Sequence, residues 1–252
     1  MTRCWLEDLQ YRGLPYQHSR VALVAAMLIM AIGSACQASV GIGMARFVAP
    51  LLALIEPRFI PGPMLLAGVI PAGTTAYRER GSVDARGLGV SLVGLAGGTV
   101  IGALMLKLAS GPTLPKVFGI LVLIAVALSV LGLRIEASFL SLVLGGGAAG
   151  VMGTMVGIHG PPIALVFQHA RPDMARAMLG AFFGFAYVGT VVALAAVGLV
   201  GRPELSLAAM LLPGVVAGLL VAPFIAERID QHRLRYAILL ISANSGAILL
   251  LR

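Results

Sequence analysis

Charged residues are scarce in this sequence. Only 11% of its 252 residues are Asp, Glu, Lys or Arg, while 59% are hydrophobic. About a quarter of the residues in a typical soluble domain are charged. A soluble all-helical protein is the alternative, but this composition argues strongly against a water-facing surface. We therefore predict a protein that spans a membrane.

Cysteine and the common catalytic motifs are also scarce or absent. Cys4 lies among the polar N-terminal residues and Cys36 in the first apolar run, so neither a disulfide nor a metal-ligand pair is expected. The sequence has no Walker A motif, no H-E-x-x-H and no G-x-S-x-G. These absences predict no metal, no cofactor and no catalytic residues.

The net charge of +8 does not indicate a nucleic-acid partner. Arg and Lys occur singly or in short clusters between apolar runs, which is typical of membrane loops. No basic tract with interleaved aromatic residues is present. The expected partners are the lipid bilayer and a small molecule.

Eight apolar segments follow a polar N-terminal tail at residues 1–20. A membrane helix needs about 20 apolar residues, and backbone groups in lipid must be satisfied within the segment. The strict alternation of a membrane barrel is missing. The fold class is therefore an all-α polytopic membrane protein of about eight transmembrane helices, with apolar segments at about 21–55, 62–77, 87–107, 115–133, 137–168, 176–200, 205–225 and 234–251.

The first and fifth segments are longer than thirty residues, and each contains a Gly/Pro interruption. Val40-Gly41-Ile42-Gly43 leads through Arg46 to Pro50, and Val156-Gly157-Ile158-His159 leads into Gly160-Pro161-Pro162. We expect a helix, an unwound stretch and a short second helix in each. Interruptions at corresponding places in two membrane halves indicate a transporter's substrate site.

The two halves are predicted to be related repeats. Their Val-Gly-Ile tripeptides are 116 positions apart (156 − 40). The predicted division is a first membrane repeat at 21–133 and a second at 134–252. Glycines spaced by four residues predict close helix packing inside the bundle, with a homodimer face as the alternative: Gly94, Gly98 and Gly102, Gly180 and Gly184, and Gly214 and Gly218.

Three basic clusters bear on topology: the tail, the loop at 78–86 and the loop at 228–235. The positive-inside rule would place all three in the cytoplasm. Eight simple crossings would put the third cluster opposite the first two. Counting one broken segment as two crossings would restore the parity, and the sequence leaves that choice open.

Only two ionisable residues fall inside the apolar runs near the breaks, Arg46 and His159. All ten Asp and Glu lie in the tail or at segment boundaries, so a buried carboxylate relay for cations is missing. An unpaired Arg inside a membrane costs at least about 2.5–3.5 kcal/mol, which an anion and water could offset. The alternative is that Arg46 reaches the surface near Glu56 and Arg58.

His159 has two interpretations, as a donor to a bound anion or as a hydrogen-bonded structural group. The prolines support the first. Pro is favoured in the first turn of a helix, so Pro50 and Pro161-Pro162 predict short helices whose free N–H groups and positive dipole ends form an anion site. The predicted substrate-binding residues are Gly41, Gly43, Arg46, Pro50, Gly157, His159, Gly160, Pro161 and Pro162.

The paired breaks resemble the sulfite exporter TauE/SafE family of membrane permeases. Ala72-Gly73-Thr74 and the Gly81-Ser82-Val83-Asp84 run after Arg80 also carry the resemblance, which covers most of residues 21–251. It implies bacterial inner-membrane movement of sulfite, sulfonates and related small anions, with site residues at Gly41, Gly43, Pro50, Gly157, Gly160 and Pro161. The sequence departs from the family at Met44-Ala45-Arg46 and at His159, where further glycines are common.

Secondary transport of a small anion by alternating access is therefore the leading hypothesis, with export as the direction. A non-transporting membrane scaffold subunit is one alternative. An intramembrane enzyme is another, and it would have to combine Ser39 or Cys36 with His159.

Overall fold

The computed structural model describes residues 16–40, 45–108, 113–131, 135–226 and 231–251. Within these ranges the chain forms ten α-helices and no strand. Short 3-10 turns at Pro57–Phe59 and Arg80–Ser82 flank the third helix. The helices are α1 (Tyr16–Val40), α2 (Ala45–Ile55), α3 (Gly62–Arg78), α4 (Ala85–Leu108), α5 (Thr113–Val130), α6 (Phe139–Val156), α7 (Gly160–Phe167), α8 (Pro172–Ala196), α9 (Arg202–Ala226) and α10 (Gln231–Leu251).

The helices fit the predicted membrane class. Five of them, α1, α4, α6, α8 and α9, contain stretches long and apolar enough to cross a bilayer. Shorter apolar stretches lie in α2, α5 and α10. The first predicted segment is α1 followed by α2, and the fifth is α6 followed by α7. Helix α1 begins at Tyr16, so the last residues of the predicted polar tail are helical.

Glycines bring two pairs of parallel helices into backbone contact. A Cβ at Gly98 on α4 would overlap the carbonyl oxygen of Gly147 on α6. A Cβ at Gly214 on α9 would overlap that of Met27 on α1. Such small-residue contacts let helices pack closely where the hydrophobic effect gives no help. These glycines therefore serve internal packing, as predicted.

The chain reverses direction at each broken segment. We call the end of the bundle where α1 begins the near end and the opposite end the far end. Helix α1 finishes at the far end, where Arg78 Nη1, at the end of α3, donates to the Ala38 carbonyl at 3.3 Å. Helix α2 therefore runs back toward the near end, because α3 begins there, with Gly62 beside Val200 between α8 and α9.

This course separates the basic residues predicted to share one side. Arg20 lies near the start of α1 at the near end, whereas Arg80 and Arg86 follow α3 at the far end. Helix α9 runs parallel to α1, so α10 with Arg233 begins at the far end too. Arg20 does not share a side with the two loops, because the first broken segment turns the chain back.

The acidic residues in the described ranges lie at helix ends and in loops. Glu56 receives two hydrogen bonds from the Arg58 guanidinium, at 2.9 and 2.8 Å. The side-chain hydrogen bond from Arg58 lowers the pKa of Glu56. Glu56 is thus engaged at the near end of the bundle, away from the residues of the two breaks.

Candidate functional site

The second break has the geometry predicted from its glycines and prolines. Helix α6 ends at Val156, and Gly157 follows with a left-handed φ of 80°. Any side chain there would also meet the Cε of Met64. Helix α7 then begins at Gly160 with Pro161 and Pro162 in its first turn. Glycine supplies the backbone turn, and proline tolerates the helix start.

The first break differs from the prediction at Pro50. Gly41 and Gly43 lie outside the described residues, and α2 begins at Ala45. Pro50 is the sixth residue of α2 and does not start it, so the prediction that it does is wrong. Pro50 has no N–H to donate to the Arg46 carbonyl four residues earlier. The Ser242 hydroxyl on α10 lies 2.8 Å from that carbonyl and 2.7 Å from the Ile238 carbonyl of its own helix, so its single proton is shared between the two.

Because the Ser242 hydroxyl takes the place of the missing backbone N–H, the effect of removing that hydroxyl can be predicted. Ser242→Ala should lower the free energy of unfolding by about 1–2 kcal/mol, since it strands the Arg46 carbonyl. In a Pro50→Ala background the restored N–H satisfies that carbonyl, and the same change should cost less than about 0.5 kcal/mol. Denaturant unfolding in detergent measures both. Equal costs in the two backgrounds would show that the hydroxyl has no such role.

The Arg46 side chain, in the first turn of α2, reaches the first residue of α7. A Cβ projecting from Gly160 would be 3.1 Å from Arg46 Nε and 3.4 Å from its Nη2. On the same interface, a Cβ at Gly157 would be 3.8 Å from the Cβ of Ala49. The structure thus brings Arg46 from the first break to Gly160 of the second.

This meeting point lies near the middle of the bundle. The Phe183 ring is 3.5 Å from the same Gly160 position, and Phe183 is one residue from the midpoint of α8. Ser242, which contacts the Arg46 carbonyl, is one residue from the midpoint of α10. The Arg46 side chain therefore points toward the centre of the bundle. The alternative prediction, that it reaches the surface beside Glu56, is wrong.

His159, just before α7, is buried against α8, with 1% of its surface exposed. Its Nε2 lies 3.0 Å from the Thr190 hydroxyl, and its ring centroid is 5.3 Å from that of Tyr187. Its Nδ1 makes no hydrogen bond of standard geometry in the described part of the chain, although the Gly157 backbone lies near the ring. One ring nitrogen thus has a structural role, and the other is left for a further partner.

Tyr187 and Thr190 contact His159, and sequence reasoning did not single them out. The Tyr187 ring packs at a tilt of 46° against that of His159, and Tyr187 lies within electrostatic range of Arg46. A signal for Thr190 was present in the sequence. The pattern G-x-x-x-x-G-T occurs at 68–74 and again at 184–190, with the same spacing of 116 positions (190 − 74) as the Val-Gly-Ile tripeptides.

The charges at this point have an unusual arrangement. The first turn of a helix carries the positive end of its dipole, which favours anions and disfavours cations. The Arg46 guanidinium nevertheless lies at the first residue of α7. Since Pro161 and Pro162 have no N–H, α7 offers fewer free donors than the sequence suggested. The Arg46 guanidinium brings its own N–H donors to this point, so the arrangement is chemically suited to an anion.

The ten helices of the described residues, five of them long and apolar enough to cross a bilayer, are consistent with a polytopic membrane protein. A family model described as Sulfite exporter TauE/SafE matches residues 25–249. The chain belongs to this family. Searches among curated proteins and among solved structures gave no match.

Proposed function

We propose that this protein is a secondary transporter that exports a small anion, such as sulfite or an organosulfonate, across the bacterial inner membrane. The observation that carries the proposal is the Arg46 guanidinium beside the first residue of α7. A cation next to the positive end of a helix is unfavourable, and an anion bound between them would offset that cost. His159 packs against Tyr187, which lies within electrostatic range of Arg46. When the Thr190 hydroxyl donates to its Nε2, Nδ1 carries the proton and adds a donor in this region.

On this proposal the chain forms two related halves of opposite orientation, at 21–133 and 134–252. The repeated spacing supports this arrangement. Glycines of α4 contact the carbonyls of Val143 and Gly147, and glycines of α9 contact those of Met27 and Ala31. Val143 lies 116 positions after Met27 (143 − 27), and Gly147 lies 116 positions after Ala31 (147 − 31).

The helix pairings support the same arrangement. In this arrangement each of the helices α1 to α5 corresponds to one of α6 to α10, in chain order. The pair α4 and α6 then corresponds to the pair α9 and α1, and both pairs are among the closest in the bundle. Likewise, the pair α5 and α7 corresponds to α10 and α2, and the pair α4 and α8 corresponds to α9 and α3. The two helices of each of these pairs pack together. Eight helices would then cross the membrane, while α2 and α7, about 16 and 12 Å long at 1.5 Å per residue, would cross only halfway.

Transport would proceed by alternating access of the two halves around the meeting point of α2 and α7. The sequence has no Walker A motif. The energy would therefore come from the membrane potential, a coupled ion or the anion gradient. An enzyme combining Ser39 with His159 gains no support, since the Ser39 hydroxyl donates to the Ala222 carbonyl at 3.0 Å and His159 contacts Thr190.

Reconstitution tests the proposal. Purified protein in proteoliposomes should release entrapped sulfite faster than empty liposomes do, and external sulfonates should compete with it. Small cations at matched ionic strength should not compete. Sulfite flux no faster than in empty liposomes, restored only by a second protein, would instead favour the scaffold subunit.

A further inference from the structure

We propose that Gln37 is a second anion-binding residue, the counterpart in the first half of His159 in the second. This inference rests on the proposed anion transport. It names a residue that the motif analysis did not include, and it explains how two halves with different sequences at their breaks can form one site.

The first step is the position of the His159 ring. The ring lies directly over Gly153 on α6, and a Cβ at Gly153 would overlap its Cγ, Cδ2 and Nε2 atoms. The imidazole can occupy this space only because residue 153 has no side chain. In the second half, there is therefore room at this point for one side chain, either from the break or from the helix before it.

The second step is the repeat spacing of 116 positions. It relates Gly153 to Gln37 (153 − 116) and His159 to Gly43 (159 − 116). The polar side chain and the glycine have thus changed places between the halves. Gly43 lies outside the described residues, but its lack of a side chain is a fact of the sequence. By this repeat, Gln37 is the polar residue of the first half that corresponds to the His159 and Gly153 pair of the second.

The third step is the burial of Gln37. Its exposed fraction is 1%, and it shares the buried face of α1 with Met30 and Ala26, which lie seven and eleven residues earlier. The amide NH₂ group offers two donors and no charge. An oxyanion held by Arg46 would receive donors from an imidazole on one side and an amide on the other.

Substitutions at Gln37 test the binding role. Gln37→Leu should weaken sulfite binding to the purified protein about tenfold or more, because a hydrogen bond to a charged group is lost. Gln37→Glu should weaken it further, since it places a carboxylate beside the anion. Gln168→Leu is the matched control, because Gln168 is exposed at the end of α7, and it should bind sulfite like the wild type.

An exchange of the two arrangements tests the equivalence. Gly153→Gln alone should lower the melting temperature, because its side chain overlaps His159. Adding His159→Gly should restore the melting temperature and leave sulfite affinity within about tenfold of wild type, as one neutral donor replaces another. The combination Gly153→Leu with His159→Gly fills the same volume without donors, and should fold but bind more weakly.

The outcomes separate this inference from the function on which it rests. Wild-type protein that neither binds nor moves any anion would defeat the proposed function. If the wild type binds sulfite and Arg46→Gln does not, while Gln37→Leu binds like the wild type, only the assignment of Gln37 fails. The equivalence also fails if the double variant is as unstable as Gly153→Gln alone.

Discussion

Arg46→Gln should lower sulfite affinity by about a hundredfold and reduce flux in proteoliposomes to the level of empty liposomes. Truncating one partner of a buried charge pair costs about 2–5 kcal/mol, and every 1.4 kcal/mol is a factor of about ten. The change keeps much of the side-chain length but removes the charge beside Gly160. Titration calorimetry on the purified protein measures the affinity directly.

Arg58→Gln is the matched control for Arg46. Arg58 lies at the near end of the bundle, where it pairs with Glu56 at 2.8 Å. Its loss should change sulfite affinity by less than about twofold, since an exposed charge pair contributes little. Arg46→Lys should be intermediate, because an ammonium keeps the charge but not the planar set of donors.

Stability separates binding from a purely structural role for Arg46. Without an anion, the difference in melting temperature between the wild type and Arg46→Gln reports the contacts that Arg46 makes within the protein. Sulfite should stabilise the wild type and not the variant, because a ligand stabilises only the state that binds it. A variant that loses stability but retains wild-type affinity would contradict the site.

Gly98→Val should be among the most destabilising substitutions in the chain, by about 3 kcal/mol. A Cβ at Gly98 overlaps the backbone of Gly147, which cannot move aside as a flexible side chain can. Helices α4 and α6 would have to separate along their whole contact. Thermal unfolding in detergent, together with the yield of folded protein, measures the effect.

The neighbouring glycine gives a control within the same helix. Nothing lies within 4 Å of a Cβ at Gly97, which faces outward from α4. Gly97→Ala should be neutral or stabilise the protein by up to about 1 kcal/mol, as Ala is the better helix former. Comparable losses at Gly97 and Gly98 would mean that α4 and α6 do not pack as described.

Local sequence signals predicted much of this fold. The apolar segments became helices because lipid leaves the backbone no other partner. Gly157 and Pro161 marked the second break correctly, since each constrains its own backbone. Pro50 was misassigned because the same residue type can sit inside a helix when a distant side chain, here Ser242, satisfies the freed carbonyl.

Contacts between distant segments were beyond such reasoning. Thr190 reaches His159 from 31 positions away, and Ser242 reaches Arg46 from 196 positions away. The reversal of the chain at the first break also decides which basic residues share an end, and no local pattern fixes it. The repeat spacing of 116 positions was the one long-range signal available. Extended to position 190, it would have pointed to Thr190, which contacts His159.

Diffraction from crystals soaked in selenite tests the central claim most directly. Selenite has the shape and charge of sulfite, and selenium gives an anomalous signal that locates it without ambiguity. The account expects one strong peak within hydrogen-bonding distance of the Arg46 guanidinium and His159 Nδ1, at the start of α7. A peak at the surface only, or none between α2 and α7 in a protein that transports selenite, would contradict it.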